Sequence, residues 1–261
     1  MIYIRSEREI EKIGESSRIV FETLTMLSSE IKPGITTQKL DSLAEEYIRS
    51  RGAVPAFKGY NGYPASICAS VDEEVVHGIP SQRELREGQI VGIDVGAEKD
   101  GYFGDSAYTF AVGAVDSLKT RLMQVTREAL YLGIEMAVPG CNLSDIGNAV
   151  QTHVEAAGFS VIRVLVGHGI GRNLHESPEV PNYGEPKRGP QLRPGMCLAI
   201  EPMVNAGVYD VHTLEDGWTV VSVDKSPSAL FEHTIAITED GPRILTDGQE
   251  QGEDILWQRK N

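Results

Sequence analysis

The chain has 261 residues, with 38 acidic and 24 basic side chains, a formal net charge of -14 and a pI near 4.9. This charge argues against binding to a nucleic-acid backbone or to an anionic membrane surface. The sequence lacks the run of about 18 apolar residues that a membrane-spanning helix needs, and no secretory signal follows Met1, so we expect a cytoplasmic protein. The three cysteines (Cys68, Cys141 and Cys197) are too far apart for a disulfide framework or a thiolate zinc site.

Two helices are predicted at the start of the chain. Ser6 and Glu9 form a capping-box pattern, and apolar residues follow at helical spacing: Ile10, Ile13, Val20, Leu24, Leu27 and Ile31. After a break at Pro33-Gly34, a second helix is predicted from about Thr37 to Gly52. Its inward side would carry Leu40, Leu43, Ala44, Tyr47 and Ile48.

The same order of elements returns in the second half of the chain. A helix is predicted from about Ser117, with an apolar stripe of Leu118, Leu122, Val125, Ala129, Leu132 and Met136. After a break at Pro139-Gly140, another helix runs from about Ser144 to near Gly158. Its inward residues would be Ile146, Ala149, Val150 and Val154.

The recurrence has a nearly constant offset. Pro33-Gly34 matches Pro139-Gly140 at an offset of 106 residues, and the segment 85–94 matches 192–201 at 107. A repeat of this length indicates two related halves. We predict an α+β fold in one domain, 1–246, with a repeat of about 6–112 and 116–240 around antiparallel strands. Residues 247–261 are polar and acidic and are predicted to be a mobile tail.

Four carboxylates occupy matching strand positions in these halves: Asp94, Asp105, Glu201 and Glu232. Because alternate residues of a strand share a face, small residues accompany the acids and large apolar residues lie on the opposite face. Asp94 and Asp105 flank an Asp100-Gly101 hairpin signal, so they should lie nearly opposite each other. Four converging carboxylates cannot all stay ionised without compensation, and metal ions would provide it.

Histidines supply a further ligand type. The apolar segment 161–166 is interpreted as a strand that runs into a glycine-rich turn with His168, and His175 follows seven residues later. His77 and His168 lie beside glycines, His175 follows the same glycine-rich turn, and we expect all three next to strands of one sheet. His153, on a helix, and His212, in a loop, receive no role, and His233 is expected to pack or to support a ligand.

Carboxylates with one histidine form a ligand set that suits manganese, iron, cobalt or zinc. Calcium fits less well, because histidine is a poor ligand for it. Two such ions about 3.5–4 Å apart, bridged by carboxylates, would form a hydrolytic site.

These residues lie in motifs that resemble type I methionine aminopeptidases of the bacterial form. The motifs are Ser70-Val-Asp-Glu-Glu-Val-Val-His77-Gly-Ile-Pro, Val91-Gly-Ile-Asp94-Val-Gly, Gly104-Asp105, Gly167-His168-Gly-Ile-Gly-Arg-Asn-Leu-His175-Glu, Ile200-Glu201-Pro-Met and Phe231-Glu232-His-Thr. The resemblance extends from about Ile4 to Thr246. It implies the "pita-bread" fold, in which two pseudo-symmetric halves surround a dinuclear metal centre.

The resemblance also implies roles for single residues. Asp94 would chelate one ion, Asp105 and Glu232 would bridge both, and His168 and Glu201 would complete the other. A water activated by the ions would attack the scissile carbonyl, with Glu201 as general base. His175 would stabilise the oxyanion, and His77 would contact the amide after the methionine. The methionine side chain would lie in a pocket of Tyr60, Tyr63, Cys68 and Trp218.

The implied activity is metal-dependent removal of the initiator methionine from nascent polypeptides, with a preference for small second residues. The partners would be nascent N-termini, with the ribosome as a place of encounter, without direct contact to nucleic acid or membrane. We expect a monomer that lacks the preceding domains found in some members of the family. The sequence departs from the usual pattern at three positions that bear on substrate fit: Asn61, Asp72 and Leu174.

Three alternatives remain at this point. The first is a relative of the same fold that cuts Xaa-Pro bonds, which the chain length and the set of Tyr60, Cys68 and Trp218 disfavour. The second is a catalytically inactive pita-bread protein that binds peptides, and the third is an enzyme of this fold without metal. Both of these are weakened by the complete set of five ligands.

Overall fold

Four α-helices lie close to where the apolar spacing predicts them in the computed structural model, which describes residues 1–247. They are α1 (Glu7–Glu30), α2 (Thr37–Ser50), α3 (Ser117–Glu135) and α4 (Leu143–Ala156). The Glu9 carboxylate accepts the Ser6 backbone N–H at 3.1 Å, as the capping-box pattern predicts. The predicted mobile tail lies outside the described residues beyond Asp247.

The apolar stripe predicted for α3 is partly wrong. Leu118 and Leu132 are 48% and 36% exposed, and the buried face instead includes Thr126 and Gly133. Thr126 tolerates burial because its hydroxyl donates to the Leu122 carbonyl at 2.7 Å. A prediction that counts only apolar residues misses such a threonine, and it therefore assigns the buried face to the wrong side of the helix.

Fifteen strands form four hydrogen-bonded sheets within the described residues. In chain order the strands are β1 (Val54–Pro55), β2 (Ile67–Val71), β3 (Glu74–Val76), β4 (Ile90–Lys99), β5 (Tyr102–Ala111), β6 (Ser160–Val161), β7 (Gly167–Gly169), β8 (Glu176–Val180), β9 (Cys197–Ile200), β10 (Met203–Asn205), β11 (Val211–Thr213), β12 (Val220–Ser222), β13 (Ser228–Leu230), β14 (His233–Thr238) and β15 (Gly241–Ile244). One large sheet has the order β1-β4-β2 with β5 on β4, and the other has the order β15-β14-β9-β7-β8. The small sheets are β13-β10-β6 and β11-β12-β3.

The two large sheets are joined by contacts between β5 and the start of β14. The Thr234 hydroxyl donates to the Asp105 carbonyl at 2.7 Å and accepts the Asp105 N–H at 3.1 Å. The Glu232 N–H donates to the Ala107 carbonyl at 2.9 Å. The two large antiparallel sheets are therefore connected at this point, and the connection brings Asp105 next to Glu232.

Equivalent turns of the two halves have the same backbone conformation. Gly34 and Gly140 have φ values of +90° and +92°, in the left-handed region that glycine adopts without strain. Gly34 donates its N–H to the Leu85 carbonyl at 2.8 Å, and Gly140 donates to the Leu192 carbonyl at 3.0 Å. Both turns thus connect a helix pair to the loop that precedes a central strand.

The helices cover the apolar faces of the large sheets. One buried cluster contains the large side chains on these faces: Val91, Ile93, Val95, Tyr108, Phe110, Leu198, Ile200, Ile235 and Ile237. No helix within residues 1–247 is long and apolar enough to span a membrane. The three cysteines are free.

The strand predicted over residues 161–166 is wrong beyond its first residue. Only Ser160–Val161 is a strand, and Val164 is 75% exposed. Ile162 remains buried in the core, whereas Val164, Leu165 and Val166 line a cavity.

Candidate metal centre and peptide cavity

The β4–β5 hairpin places Asp94 and Asp105 on one face. Asp100 and Gly101 have φ values of +53° and +78°, the conformation that a tight two-residue hairpin turn requires. In the resulting register Asp94 pairs with Ala107, while Asp105 pairs with Gly96. The two aspartates are therefore diagonal neighbours, and their carboxyl groups share a hydrogen bond.

The second half brings three further ligand candidates to the same place. His168 lies on β7, Glu201 follows β9 and Glu232 precedes β14. Ligand atoms of Asp105, His168 and Glu232 all lie within 4.8 Å of one another. The Nε2 atom of His168 is 3.8 Å from Asp105 Oδ2 and 3.8 Å from Glu201 Oε1. The five residues thus surround one small volume.

The chemistry of this donor set fits divalent cations. Asp94 Oδ1 and Asp105 Oδ1 are buried and have no hydrogen-bond partner, which is unfavourable for carboxylate oxygens unless a cation neutralises them. The Nδ1 atom of His168 lies 2.8 Å from the Gly169 carbonyl. Since a carbonyl only accepts, Nδ1 carries the proton and Nε2 presents its lone pair to the carboxylates.

The electrostatics of the unmetallated cluster also indicate cation binding. Burial raises the pKa of Asp94 to about 7. Burial, together with the neighbouring carboxylates, raises the pKa values of Asp105, Glu201 and Glu232 well above their ordinary range. Burial lowers the pKa of His168 to about 3, so this imidazole is neutral. Acids that retain protons beside a neutral histidine can exchange those protons for metal ions.

A cavity of about 360 Å³ opens on the cluster. All eleven residues that the sequence analysis selected line it: Tyr60, Tyr63, Cys68, His77, Asp94, Asp105, His168, His175, Glu201, Trp218 and Glu232. Tyr63 packs edge-on against Trp218 with ring centroids 5.1 Å apart, and its hydroxyl reaches the Ile67 and Gly78 carbonyls, each at 3.1 Å. The wall is aromatic and apolar, because the hydroxyl groups of its tyrosines form hydrogen bonds with other groups of the protein.

His77 and His175 flank this cavity. The Nδ1 atom of His175 is 2.8 Å from the Tyr60 hydroxyl, and the rings of His175 and His168 are 4.2 Å apart. Loss of hydration on the buried side of the ring lowers the pKa of His175, and burial likewise lowers the pKa of His77. Both imidazoles are therefore neutral at pH 7, so each can donate one N–H to an oxygen in the cavity.

His77 is presented by strained backbone. Its φ is +59°, which is uncommon for a residue with a side chain. The next residue, Gly78, is held against β2, because its carbonyl accepts the Ala69 N–H at 2.9 Å and its N–H donates to the Ser70 hydroxyl at 3.2 Å. His77 follows β3 in the β11-β12-β3 sheet, whereas His168 and His175 belong to the five-stranded sheet. The expectation that all three histidines adjoin one sheet is therefore wrong, because β3 pairs with β12 and not with β4.

The remaining histidines lie away from the centre of the cluster. His212, expected in a loop, is on β11, and His153 on α4 is 3.0 Å from Glu128. His233 is buried between the Thr246 hydroxyl, at 2.9 Å, and the Tyr131 hydroxyl, at 3.2 Å. Neither contact is with an expected metal ligand, so they agree with the packing alternative expected for His233.

The sequence analysis did not select several of the residues that line the cavity. They are Phe57, Val76, Val164, Leu165, Val166 and Met203, apolar side chains that periodicity assigns to a core. Of the three departures, Asn61 and Leu174 line the cavity, whereas Asp72 does not. The Asp72 carboxylate accepts Lys119 Nζ at 2.6 Å and Gln89 Nε2 at 2.9 Å. Asp72 thus ties the first half to α3 from outside the lining of the cavity.

Comparisons with known proteins match nearly the whole chain. The sequence profile of Metallopeptidase family M24 matches residues 10–239. Methionine aminopeptidase 1 of Bacillus subtilis is 54% identical over 246 residues, which cover 94% of this chain and 99% of that protein. The crystal structure of a methionine aminopeptidase from Thermotoga maritima has a TM-score of 0.93 at 48% identity and covers 94% of this chain and 99% of that chain. The prolidase from Pyrococcus horikoshii is less similar, with a TM-score of 0.76 and 25% identity over 97% of this chain and 65% of that chain.

Proposed function

This chain belongs to metallopeptidase family M24, and from that premise we propose that it removes the N-terminal methionine of polypeptides by metal-dependent hydrolysis. The observation that carries the proposal is the carboxylate and histidine cluster at the floor of an aromatic-walled cavity. The name of the Bacillus subtilis relative at 54% identity agrees with it. The pita-bread fold expected from the motifs is confirmed by the solved structures, and this chain is a hydrolase of the aminopeptidase class.

Two divalent ions would be held by the five clustered residues. Asp94 would chelate one ion, Asp105 and Glu232 would bridge both, and His168 and Glu201 would complete the other. The orphaned carboxylate oxygens of Asp94 and Asp105 support this assignment. When bound, the ions would polarise the scissile carbonyl and lower the pKa of water. Manganese, iron, cobalt and zinc all suit these ligands.

The protein's own groups would position and polarise the peptide around that centre. The Nδ1 atom of His175 can accept the Tyr60 hydroxyl proton, which leaves its Nε2–H to donate to the carbonyl oxygen as negative charge develops there. Glu201 Oε1 lies 3.8 Å from His168 Nε2, and Glu201 would act as general base for the attacking water. His77 would bind the amide that follows the methionine.

The methionine side chain would occupy the space between Tyr63, Cys68 and Trp218. Tyr63 is 3% and Cys68 is 4% exposed, so a thioether there would be removed from water. Aromatic faces and sulfur make favourable contacts with a methionine thioether. The Tyr60 hydroxyl also contacts His175, which in turn contacts His168, so Tyr60 connects this pocket to the metal-ligand cluster.

We further propose that the substrates are nascent polypeptides with small second residues, encountered in the cytoplasm at the ribosome. Val164 and Leu165 line the cavity, and a second residue held beside these apolar side chains would have to be small. The formal charge of -14 supports action without direct binding to nucleic acid or membrane. We propose a monomer, since each polypeptide contributes all the clustered ligands.

The proposal is tested by stripping the protein of metal and measuring methionine release from Met-Ala-Ser with Mn(II), Fe(II), Co(II) or Zn(II) added back in turn. We expect release that depends on added ion. Ala-Pro-Gly serves as the matched substrate for an Xaa-Pro peptidase and should not be cleaved. A folded, metal-loaded protein that cleaves only Ala-Pro-Gly would overturn the proposal in favour of that activity, and one that cleaves neither would indicate a peptide-binding protein.

A further inference from the structure

A buried ion pair lies behind His175, outside the lining of the cavity. The Arg5 guanidinium donates to the Glu176 carboxylate, and the two side chains are only 6% and 4% exposed. A pair taken out of water in this way loses much hydration free energy and adds little net stability. Its position, next in the chain to His175, points instead to the organisation of the site.

The Glu176 carboxylate holds the turn that precedes His175. Its Oε1 atom accepts the backbone N–H groups of Arg172 and Asn173 at 2.9 and 3.0 Å, while Oε2 is the atom bound by Arg5. Successive N–H groups directed at one anion fix the conformation of a turn. The turn that carries His175 is therefore built around a carboxylate whose orientation depends on Arg5.

The guanidinium of Arg5 also fills the concave side of this turn. An added Cβ at Gly171 would lie 2.5 Å from Arg5 Nη2 and 2.8 Å from its Cζ atom. The Gly171 carbonyl accepts the Phe103 N–H at 2.8 Å, so the turn is held between β5 and Arg5. Arg5 is itself fixed, because its backbone N–H donates to the Gly195 carbonyl at 2.7 Å.

We propose that Arg5 and Glu176 are positioning residues that hold His175 at the reaction centre. The inference rests on the proposed function of His175. Its consequence is that the segment before α1 takes part in the active site although it contributes no side chain to the cavity. Since a displacement of about 1 Å can lower turnover about 100-fold, a loosened turn should affect the rate far more than substrate binding.

The test is a double-mutant cycle on kcat and KM for Met-Ala-Ser in the metal-loaded protein. Arg5→Met removes the pair from one side. Glu176→Gln removes it from the other and keeps an oxygen for the N–H groups of residues 172 and 173. Each should lower kcat about tenfold or more, with KM and metal content changed less than about twofold. In a His175→Ala background, each should change kcat less than about twofold, because the residue through which the pair acts is gone.

The control is Arg243→Met. Arg243 binds Glu7 at 2.8 Å at the start of α1, with both side chains well exposed. It should leave kcat unchanged, because this pair also fixes the start of α1 but does not touch the His175 turn. Arg5→Lys, which keeps a cation, should recover part of the lost rate. Equal losses of kcat with and without His175 would overturn the proposal, as would a Glu176→Gln protein of wild-type rate.

A second measurement separates this inference from the proposed function. The imidazole NMR signals of His175, assigned by their loss in His175→Ala, should shift or broaden in Arg5→Met and Glu176→Gln and stay unchanged in Arg243→Met. This holds even if the wild-type protein releases no methionine, an outcome that would contradict the proposed activity alone. Unaltered His175 signals in both variants would refute the positioning role.

Discussion

Ile93 and Asp94 are neighbours on β4, and their side chains leave opposite faces of the strand into two buried environments. Ile93 is fully buried in the core under the helices, where removal from water stabilises the fold. Asp94 faces the metal-ligand cluster, where removal from water raises its pKa to about 7. The same alternation occurs at Ile200 and Glu201, which shows that the strands use one face for stability and the other for chemistry.

The comparison teaches that the acidic face depends on the apolar one. The large side chains beneath the sheets hold the carboxylates in place against their mutual repulsion and loss of hydration. Substitutions on the two faces should therefore have opposite signatures. On the acidic face they should abolish activity without harming the metal-free fold, and on the apolar face they should weaken the fold without altering the chemistry.

The largest effect is expected for Asp105→Asn. Asp105 is 4% exposed, and its burial and its neighbours raise its pKa, so the amide relieves repulsion in the metal-free state but cannot bridge two cations. Turnover of Met-Ala-Ser should be abolished, and metal content measured by mass spectrometry should fall. The melting temperature in EDTA should not decrease. Asp100→Asn on the same hairpin, where asparagine also accepts a positive φ, is the control and should retain full activity; full activity of Asp105→Asn would refute the bridging role.

Removal of the metal should make stability depend on pH in an unusual direction. The unfolded carboxylates lose their protons near pH 4, whereas Asp94 holds its proton to about pH 7 and Asp105, Glu201 and Glu232 also hold theirs to raised pH. Stability from these groups is complete below pH 4 and falls as pH rises through their folded pKa values. His168 has a lowered pKa and acts in the opposite sense, but only below about pH 6.5, the pKa of an unfolded histidine.

Above pH 6.5 the histidines therefore no longer oppose the carboxyl groups. The free energy of unfolding of the metal-free protein should fall by about 1.4 kcal/mol per pH unit for each proton retained. Urea unfolding at pH 6.5, 7.5 and 8.5 with EDTA should show the decline, and the metal-loaded protein should not. A metal-free protein whose stability is constant or rises over this range would show that the carboxyl groups are already ionised.

His175→Ala should separate chemistry from metal binding. His175 contacts the ring of His168 but is not among the five proposed ligands, so the metal content should stay the same. Loss of an oxyanion donor lowers turnover by about 10²–10³-fold, or about 3–4 kcal/mol. His153→Ala on α4 should leave kcat unchanged. Loss of metal from the His175→Ala protein would instead make His175 part of the ligand set.

The clustered acids could be predicted because local rules place them. Strand alternation and an Asp-Gly turn are enough to bring Asp94 and Asp105 together, and the glycine-rich turn presents His168. The second wall of the cavity could not be predicted in this way. Trp218 reaches His77 only because β12 pairs with β3, and strands of three residues that lie far apart in the chain carry no signal for such a pairing.

The Arg5–Glu176 ion pair could not be predicted from sequence patterns for a related reason. Its partners are 171 residues apart, and each is an ordinary charged residue that would normally be placed on the surface. The error on α3 has a different origin. The Thr126 hydroxyl bonds within the helix, and Gly133 allows Val150 of α4 to approach closely. Hydrophobic spacing registers neither feature, so spacing identified the helix but not its buried face.

The last prediction concerns the apolar face, where the effect should be confined to stability. Ile93 is fully buried in the core cluster, and Ile93→Ala should lower the free energy of unfolding by about 2–5 kcal/mol through lost burial and a residual cavity. Metal content and the KM for Met-Ala-Ser should be unchanged, because Asp94 keeps its place on the strand through pairing with both β2 and β5. Val54→Ala, on the exposed edge of the same sheet, should change stability by less than about 0.5 kcal/mol. If Ile93→Ala instead lost metal at a temperature where it remains folded, the two faces would be coupled, and the acidic face would depend on fine packing as well as on strand position.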